Sequence, residues 1–526
     1  MIESSLNAAD MDMDVDSEII IVGAGISGVG MGIELKKYHL HSFTILESSG
    51  SLGGTWRDNT YPGVAVDIPS LSYSFSYEPN PNWSRLFAPG QEILQYLKHC
   101  AEKYGILQHI RYNSNVKKIV FDGRRHIWDV YLDNGERLRA RYVVSATGIL
   151  NQPIIPDIEG LSSFKGKMTH TARWDHDNDL TGQRVGIIGT GASAVQIVPS
   201  IASKVKHLDV FQRTPIWVSP KFDYKFNQIT KTLFKRVPFL YKIASYAAES
   251  FNELATFALV NFNKWPGMIA KGEDFNLKHL KTQVNDPELV DKLTPNYNLG
   301  CKRPAISSQY LRAFNRDNVD LVTTGIERVT DKGIITSDGA LHEFDTIILA
   351  TGFKTQVKGN SPSYEVHGLD GMELGQFWQD QRYQAYKSIS IPKFPNFFLT
   401  FGPYCGGINW FTMLEGHVRH IARCLKKAKQ EGSNYIEVKQ SAHDQYFQLM
   451  QRKSANTLFK NASCASANSY YFDAHGDASL PSPITPLTRW FTIGLGSLNG
   501  YKFEHREKYT GVTPIADKVV VQRAEA

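Results

Sequence analysis

Two glycine turns with opposite charges behind them carry the first chemical signal in this sequence. Gly23-Ala24-Gly25-Ile26-Ser27-Gly28 follows the apolar run 18–22, and Glu47 stands nineteen residues after Gly28. Gly189-Thr190-Gly191-Ala192-Ser193-Ala194 follows the run 184–188, and Arg213 stands nineteen residues after Ala194. In such turns the first glycine permits the tight bend, the second lets backbone approach a pyrophosphate, and the third packs helix on strand. A carboxylate at the offset of Glu47 can hold ribose hydroxyls but would repel a 2′-phosphate. The guanidinium of Arg213, with the Thr214 hydroxyl beside it, can clamp one. The first turn therefore suits FAD, through Gly23, Gly25, Ser27, Gly28 and Glu47. The second suits NADP(H), through Gly189, Thr190, Gly191, Ala192, Ser193, Ala194 and Gln196.

Other chemistries lack their residues. No His/Cys/Asp/Glu group has metal-ligand spacing, no Gly-x-Ser-x-Gly elbow occurs, and 189–194 holds no phosphate-loop lysine. Metal catalysis, serine hydrolysis and nucleotide hydrolysis are not expected. Cys100, Cys301, Cys405, Cys424 and Cys464 are far apart and form no Cys-x-x-Cys, so neither a disulfide nor a redox dithiol is expected. The net charge of +6 is spread over 526 residues without a basic, aromatic stripe, which argues against nucleic acid as a partner.

The elements that must position these residues read as two interleaved nucleotide folds. Strands at 18–22 and 43–46 flank a helix at 29–38, and strands at 184–188 and 207–212 flank the second turn. Two buried runs, 142–148 and 346–352, each end in Ala-Thr-Gly and read as crossings between lobes. The expected class is α/β, with two Rossmann-like dinucleotide-binding domains and a helical insertion in the second. The division is an acidic tail 1–16, an FAD-binding domain in parts 17–155 and 346–526, and an NADP-binding domain in parts 156–218 and 299–345, with the insertion at 219–298. A helix is expected over 413–429, and 404–411 is a candidate pocket wall. No apolar run reaches the ~20 residues of a membrane span. Peripheral membrane contact by the aromatic, basic region 222–246 stays open. The acidic tail is the opposite of a secretory leader and points to the cytoplasm.

Two further motifs separate reductases from oxygenases. Phe164, Gly166, His170, Trp174 and Asp175 fall in FKGKMTHTARWD, and GGTWRDNTYPGVAVD spans 53–67. Together with FQRTPIW (211–217), CKRP (301–304) and PNFFLTFGP (395–403), these resemble the type I flavin-dependent Baeyer–Villiger monooxygenases over almost the whole chain. Related heteroatom monooxygenases carry a similar fingerprint ending in Phe or Tyr, so Trp174-Asp175 favours the Baeyer–Villiger branch.

The resemblance implies NADPH-dependent oxygenation of a ketone to an ester or lactone through a 4a-peroxyflavin, with dioxygen as co-substrate. It implies Arg303 as the fixed cation that stabilises the anionic adduct and Asp67 as its partner. It places Lys302 with Arg213 and Thr214 at the 2′-phosphate, and Thr55, Trp56, Ile68, Tyr73 and Val116 along the flavin. His170 is expected to be a structural or conformational residue of the linker. The alternatives are a heteroatom (S/N) monooxygenase, a flavin or disulfide reductase, and a non-catalytic flavin-binding sensor. The identity of the ketone and the oligomeric state are not written in these motifs.

Overall fold

The computed structural model of the chain describes residues 15–507. The expected acidic tail therefore lies, apart from its last two residues, outside the described residues.

Ser17–Val22 forms a strand because its β-branched run can be buried on both faces, and helix Ile26–Lys37 follows the glycine turn. This strand is central in an eight-stranded sheet. It pairs in parallel with Phe43–Leu46 on one side and Arg137–Ser145 on the other. Ile110–Arg111 and Phe397–Leu399 extend the parallel part, while Val116–Asp122 and Ile127–Leu132 add an antiparallel flank. Helix Trp410–Glu431 packs on this layer, with Leu414, Val418 and Ile421 in one core with Val29, Ile33 and Phe75.

The second sheet has five strands, all parallel, in the order Val319–Val322, His207–Phe211, Arg184–Ile188, Thr346–Leu349, Lys167–His170. The two sheets repeat one local device. Gly23 has φ +107°, and a Cβ there would lie 2.8 Å from the Ala146 carbonyl oxygen. Gly189 has φ +110°, and a Cβ there would lie 2.5 Å from the Ala350 carbonyl oxygen. Each turn is thus pressed against its own Ala-Thr-Gly crossing, and only glycine fits.

Four helices, Gln228–Arg236, Pro238–Val260, Pro266–Gln283 and Pro287–Leu293, fill the stretch between strands Val218–Ser219 and Ala305–Ile306. Those two short strands pair in parallel, so the chain leaves and returns at one place. Among the described residues, no helix is long and apolar enough to cross a membrane.

Against the expectation from spacing, two of the cysteines are joined. Cys301 and Cys464, 163 residues apart, form a disulfide with Cα atoms 4.9 Å apart. Both are buried in a small core with Trp217, Tyr297 and Leu458, and tertiary packing rather than local spacing brings them together. Cys100, Cys405 and Cys424 are free and buried. One group of possible metal ligands, His207, Asp209 and Asp320, also converges from neighbouring strands. It lies outside the cavity described below, and its members pair with one another.

Candidate active site

A cavity of about 2940 Å³ opens where the carboxyl ends of both sheets meet. Open α/β sheets bind ligands at this end of their strands. Gly23, Gly25, Ser27, Glu47, Thr55, Trp56, Asp67, Ile68, Tyr73 and Val116 line it from the first lobe. Gly189, Thr190, Gly191, Ala192, Ser193, Gln196, Arg213 and Thr214 line it from the second, and Lys302 and Arg303 complete the wall. Gly28 and Ala194 do not reach it. They are buried at the helix starts, and a Cβ on Gly28 would sit 1.8 Å from the Gly23 carbonyl oxygen.

Arg303 and Asp67 form a bidentate pair, Nε to Oδ2 at 2.8 Å and Nη2 to Oδ1 at 2.9 Å. Each side chain keeps only about 30% of its surface open, toward the cavity. Burial alone would raise the Asp67 pKa, but the charge and hydrogen bonds of Arg303 outweigh it and hold the carboxyl below its usual range. The Asp67 charge in turn raises Arg303, so the guanidinium is a permanent cation. Nη2 also approaches the Ile408 carbonyl at 3.4 Å, which ties Arg303 to the loop before helix Trp410–Glu431.

Trp56 donates from Nε1 to the Tyr73 hydroxyl at 3.2 Å, and the Tyr73 ring meets Phe411 edge-on at 4.9 Å. Burial raises the Tyr73 pKa, so it stays a neutral phenol. Glu47 is buried and accepts from the Ala24 amide at 2.9 Å and from Arg57 at 2.9 Å, fixing the strand end to the glycine turn. Gln196 reaches from the second lobe to the first, donating to the Ala65 carbonyl and accepting from Tyr61.

Lys302 and Arg213 carry the other electrostatic feature. Burial first, and then the Arg213 charge, lower the Lys302 pKa, and no carboxylate offsets them. Two cations close together in one wall, neither paired with a carboxylate among the described residues, can hold an anion. Thr214 beside them accepts from Asn468 at 2.9 Å.

The fingerprint residues divide. Phe164 is buried, and Gly166 leaves room for its ring and for the Asp345 carbonyl. His170 is buried at the end of an edge strand, its Nδ1 accepting from the Ala172 amide at 3.1 Å, and burial lowers its pKa. Asp175 caps a turn through the Asp177 amide. Only Trp174 of the five lines the cavity.

Several wall residues escaped the sequence reading. Asn468, Tyr470 and Tyr471 line the cavity from a segment with no motif, and Arg57 pairs with Glu47 although it lies inside the Trp56 motif. Ile408 and Trp410 come from the stretch expected as a pocket wall, and Trp410 donates to Ser27 at 3.2 Å.

Comparison with known proteins decides the family. A Baeyer–Villiger monooxygenase of Streptomyces coelicolor is 38% identical over 447 residues, covering 84% of each chain. The chain belongs to the Baeyer–Villiger monooxygenases. A family described as pyridine nucleotide-disulphide oxidoreductase also matches residues 20–256, a segment whose one cysteine, Cys100, excludes a dithiol centre within it. The fold agrees with solved members. An oxidized steroid monooxygenase bound to NADP superposes with a TM-score of 0.81 at 29% identity, covering 93% of this chain and 99% of that one. OTEMO in complex with FAD and NADP superposes with a TM-score of 0.81 at 28% identity, covering 93% and 100%. In this Baeyer–Villiger monooxygenase, as in those relatives, both lobes are Rossmann-type nucleotide folds.

Proposed function

We propose that this chain is an FAD-containing, NADPH-dependent monooxygenase that inserts one atom of dioxygen beside a ketone carbonyl, giving an ester or lactone. The observation that carries the reading is the Arg303–Asp67 pair, set in the wall of a cavity with a nucleotide turn from each lobe.

The residues fit the two cofactors. Gly23 and Gly25, just before helix Ile26–Lys37, present backbone without side chains to the cavity, and Glu47 supplies the carboxylate behind it. The cation pair Lys302 and Arg213 suits a 2′-phosphate and would leave NADH without a partner. Bound there, the flavin and nicotinamide supply the electrons that activate dioxygen.

The protein's own residues then govern charge and water. Asp67 fixes the plane of Arg303 through Nε and Nη2. Nη1 makes no hydrogen bond among the described residues and is left to donate to an oxygen anion. A guanidinium holds such an anion without protonating it, because it does not release a proton at any working pH. Ile68, Ile408 and Trp410 add apolar wall beside it, which strengthens the interaction by excluding water. His170, buried and neutral at the edge of the second sheet, positions the linker between lobes. The division of the chain that goes with this reading is the two-part FAD lobe 17–155 and 346–526, the two-part NADP lobe 156–218 and 299–345, and the helical insertion 219–298. A cytoplasmic setting, where NADPH is at hand, goes with it.

Incubating the FAD-loaded protein with NADPH, oxygen and a panel of linear, cyclic and aryl ketones tests the reading. At least one ketone is expected to accelerate NADPH oxidation and yield the matching ester. NADPH consumption that no ketone accelerates, with hydrogen peroxide as the sole product, would overturn it.

A further inference from the structure

Helices Gln228–Arg236 and Pro238–Val260 expose more apolar surface than a soluble helix pair normally leaves bare. Ile229 is 78% exposed, Phe239 68% and Tyr246 69%. Phe239, Ile243, Tyr246, Leu254 and Phe257 recur at helical spacing along one face, while Tyr241, Asn252 and Thr256 on the opposite face are buried. Contiguous exposed apolar faces mark docking sites.

Lysine and arginine dominate the charges around this face. Lys225, Lys231, Lys235, Arg236 and Lys242 lie between Lys221 and Tyr246 and form no ion pair among the described residues. The carboxylates of this stretch and of the helix beyond it each have a partner: Asp223 with Arg85, Glu249 with Asn409, and Glu253 with the Leu487 amide. A basic rim around exposed aromatic and aliphatic side chains is the pattern of a helix that lies in an anionic lipid interface. Two copies of this face meeting across a two-fold axis would bring like charges together, which disfavours self-association there.

The cavity opens on the same side. Phe222, Phe251, Leu254 and Phe275 are more than half exposed, and all four also line the cavity. Phe251 and Leu254 belong to the same helix as the exposed stripe.

We infer that the face formed by helices Gln228–Arg236 and Pro238–Val260 docks on an anionic lipid bilayer, and that apolar ketones pass from the bilayer into the cavity past Phe222 and Phe251. The docking stands on this surface alone. The choice of ketone rests on the proposed function.

The full-length, FAD-loaded protein is floated with vesicles of phosphatidylcholine with and without phosphatidylglycerol. Two double variants, F239S/I243S and K231E/K235E, are run beside it, and none of these four residues lines the cavity. The protein is expected to float with the anionic vesicles only, to release in high salt, and to lose roughly tenfold or more of its binding in either variant. The KM for a long-chain ketone dissolved in the vesicles should rise in both variants, while turnover of a short, water-soluble ketone in buffer stays unchanged. Docking is contradicted if the wild type stays with the soluble fraction, if the variants float as well as it does, or if light scattering shows a dimer that the same substitutions dissociate. An unchanged KM for the vesicle-borne ketone would overturn the passage from the bilayer. A protein that floats but oxidises neither ketone supports docking and sinks the ketone reading instead.

Discussion

Arg303 and Asp67 stand 236 positions apart in the chain and meet through two hydrogen bonds of 2.8 and 2.9 Å. Asp67 ends the Trp56 motif of the first lobe, whereas Arg303 follows the four-helix stretch of the second. Their contact therefore joins two distant parts of the chain.

Replacing Asp67 with Asn keeps the shape but leaves the guanidinium without a counter-charge. A fully buried broken pair costs more, but partial exposure to the cavity reduces the loss to about 2 kcal/mol. Urea unfolding of D67N against the wild type measures it. An unchanged midpoint would mean that the pair contributes nothing to the fold.

The coenzyme preference should reside in Lys302 and Arg213. The double variant K302A/R213A is expected to raise the KM for NADPH by roughly tenfold to a hundredfold, the effect of losing charge-assisted bonds worth about 1.5–3 kcal/mol. The KM for NADH should hardly move. Steady-state kinetics with both coenzymes give the comparison, and an equal rise for both would contradict the assignment.

Acid sensitivity should come from His417. Burial first, and then the Arg489 charge, push its pKa down to about 3, and its ring bonds the Thr400 carbonyl on one side and Arg489 on the other. In the unfolded chain a histidine titrates near about 6.5. Between those values the unfolded state holds the extra proton, so the stabilisation is complete above about pH 6.5 and falls as the pH drops. The slope approaches about 1.4 kcal/mol per pH unit for this one proton. His420, also lowered by burial, acts in the same direction. Urea midpoints between about pH 7 and about pH 5 should therefore fall in the wild type and fall less steeply in H417N. Parallel curves would contradict the account.

The Cys301–Cys464 bond predicts a thiol count. Denatured without reductant, the protein should take up three equivalents of a maleimide, matching Cys100, Cys405 and Cys424. After reduction it should take up all five. Five equivalents before reduction would show the pair as thiols and contradict the bond.

Much of the cavity wall was legible because its signals are local. A strand, a glycine turn and a charge at a fixed offset are set by short stretches of chain, and Glu47 and Arg213 both lie in the cavity wall. Helix ends were less legible. The 413–429 helix runs over Trp410–Glu431, because Asn409 caps its start through the Phe411 amide and Gly432 closes it with φ +64°. What could not be read are meetings across the fold: Trp410 with Ser27, Asn468 with Thr214, and Cys301 with Cys464. Each joins residues over 160 positions apart, and neither partner sits at a telling spacing from the other.

The most direct test counts ester formed per NADPH oxidised, for wild type and R303A side by side, on a ketone the wild type accepts. The account predicts a ratio near one for the wild type. In R303A, ester formation should fall roughly a hundredfold or more while NADPH oxidation continues and yields hydrogen peroxide. An R303A protein that forms ester with undiminished rate and ratio would contradict the claim that this cation holds the reacting oxygen.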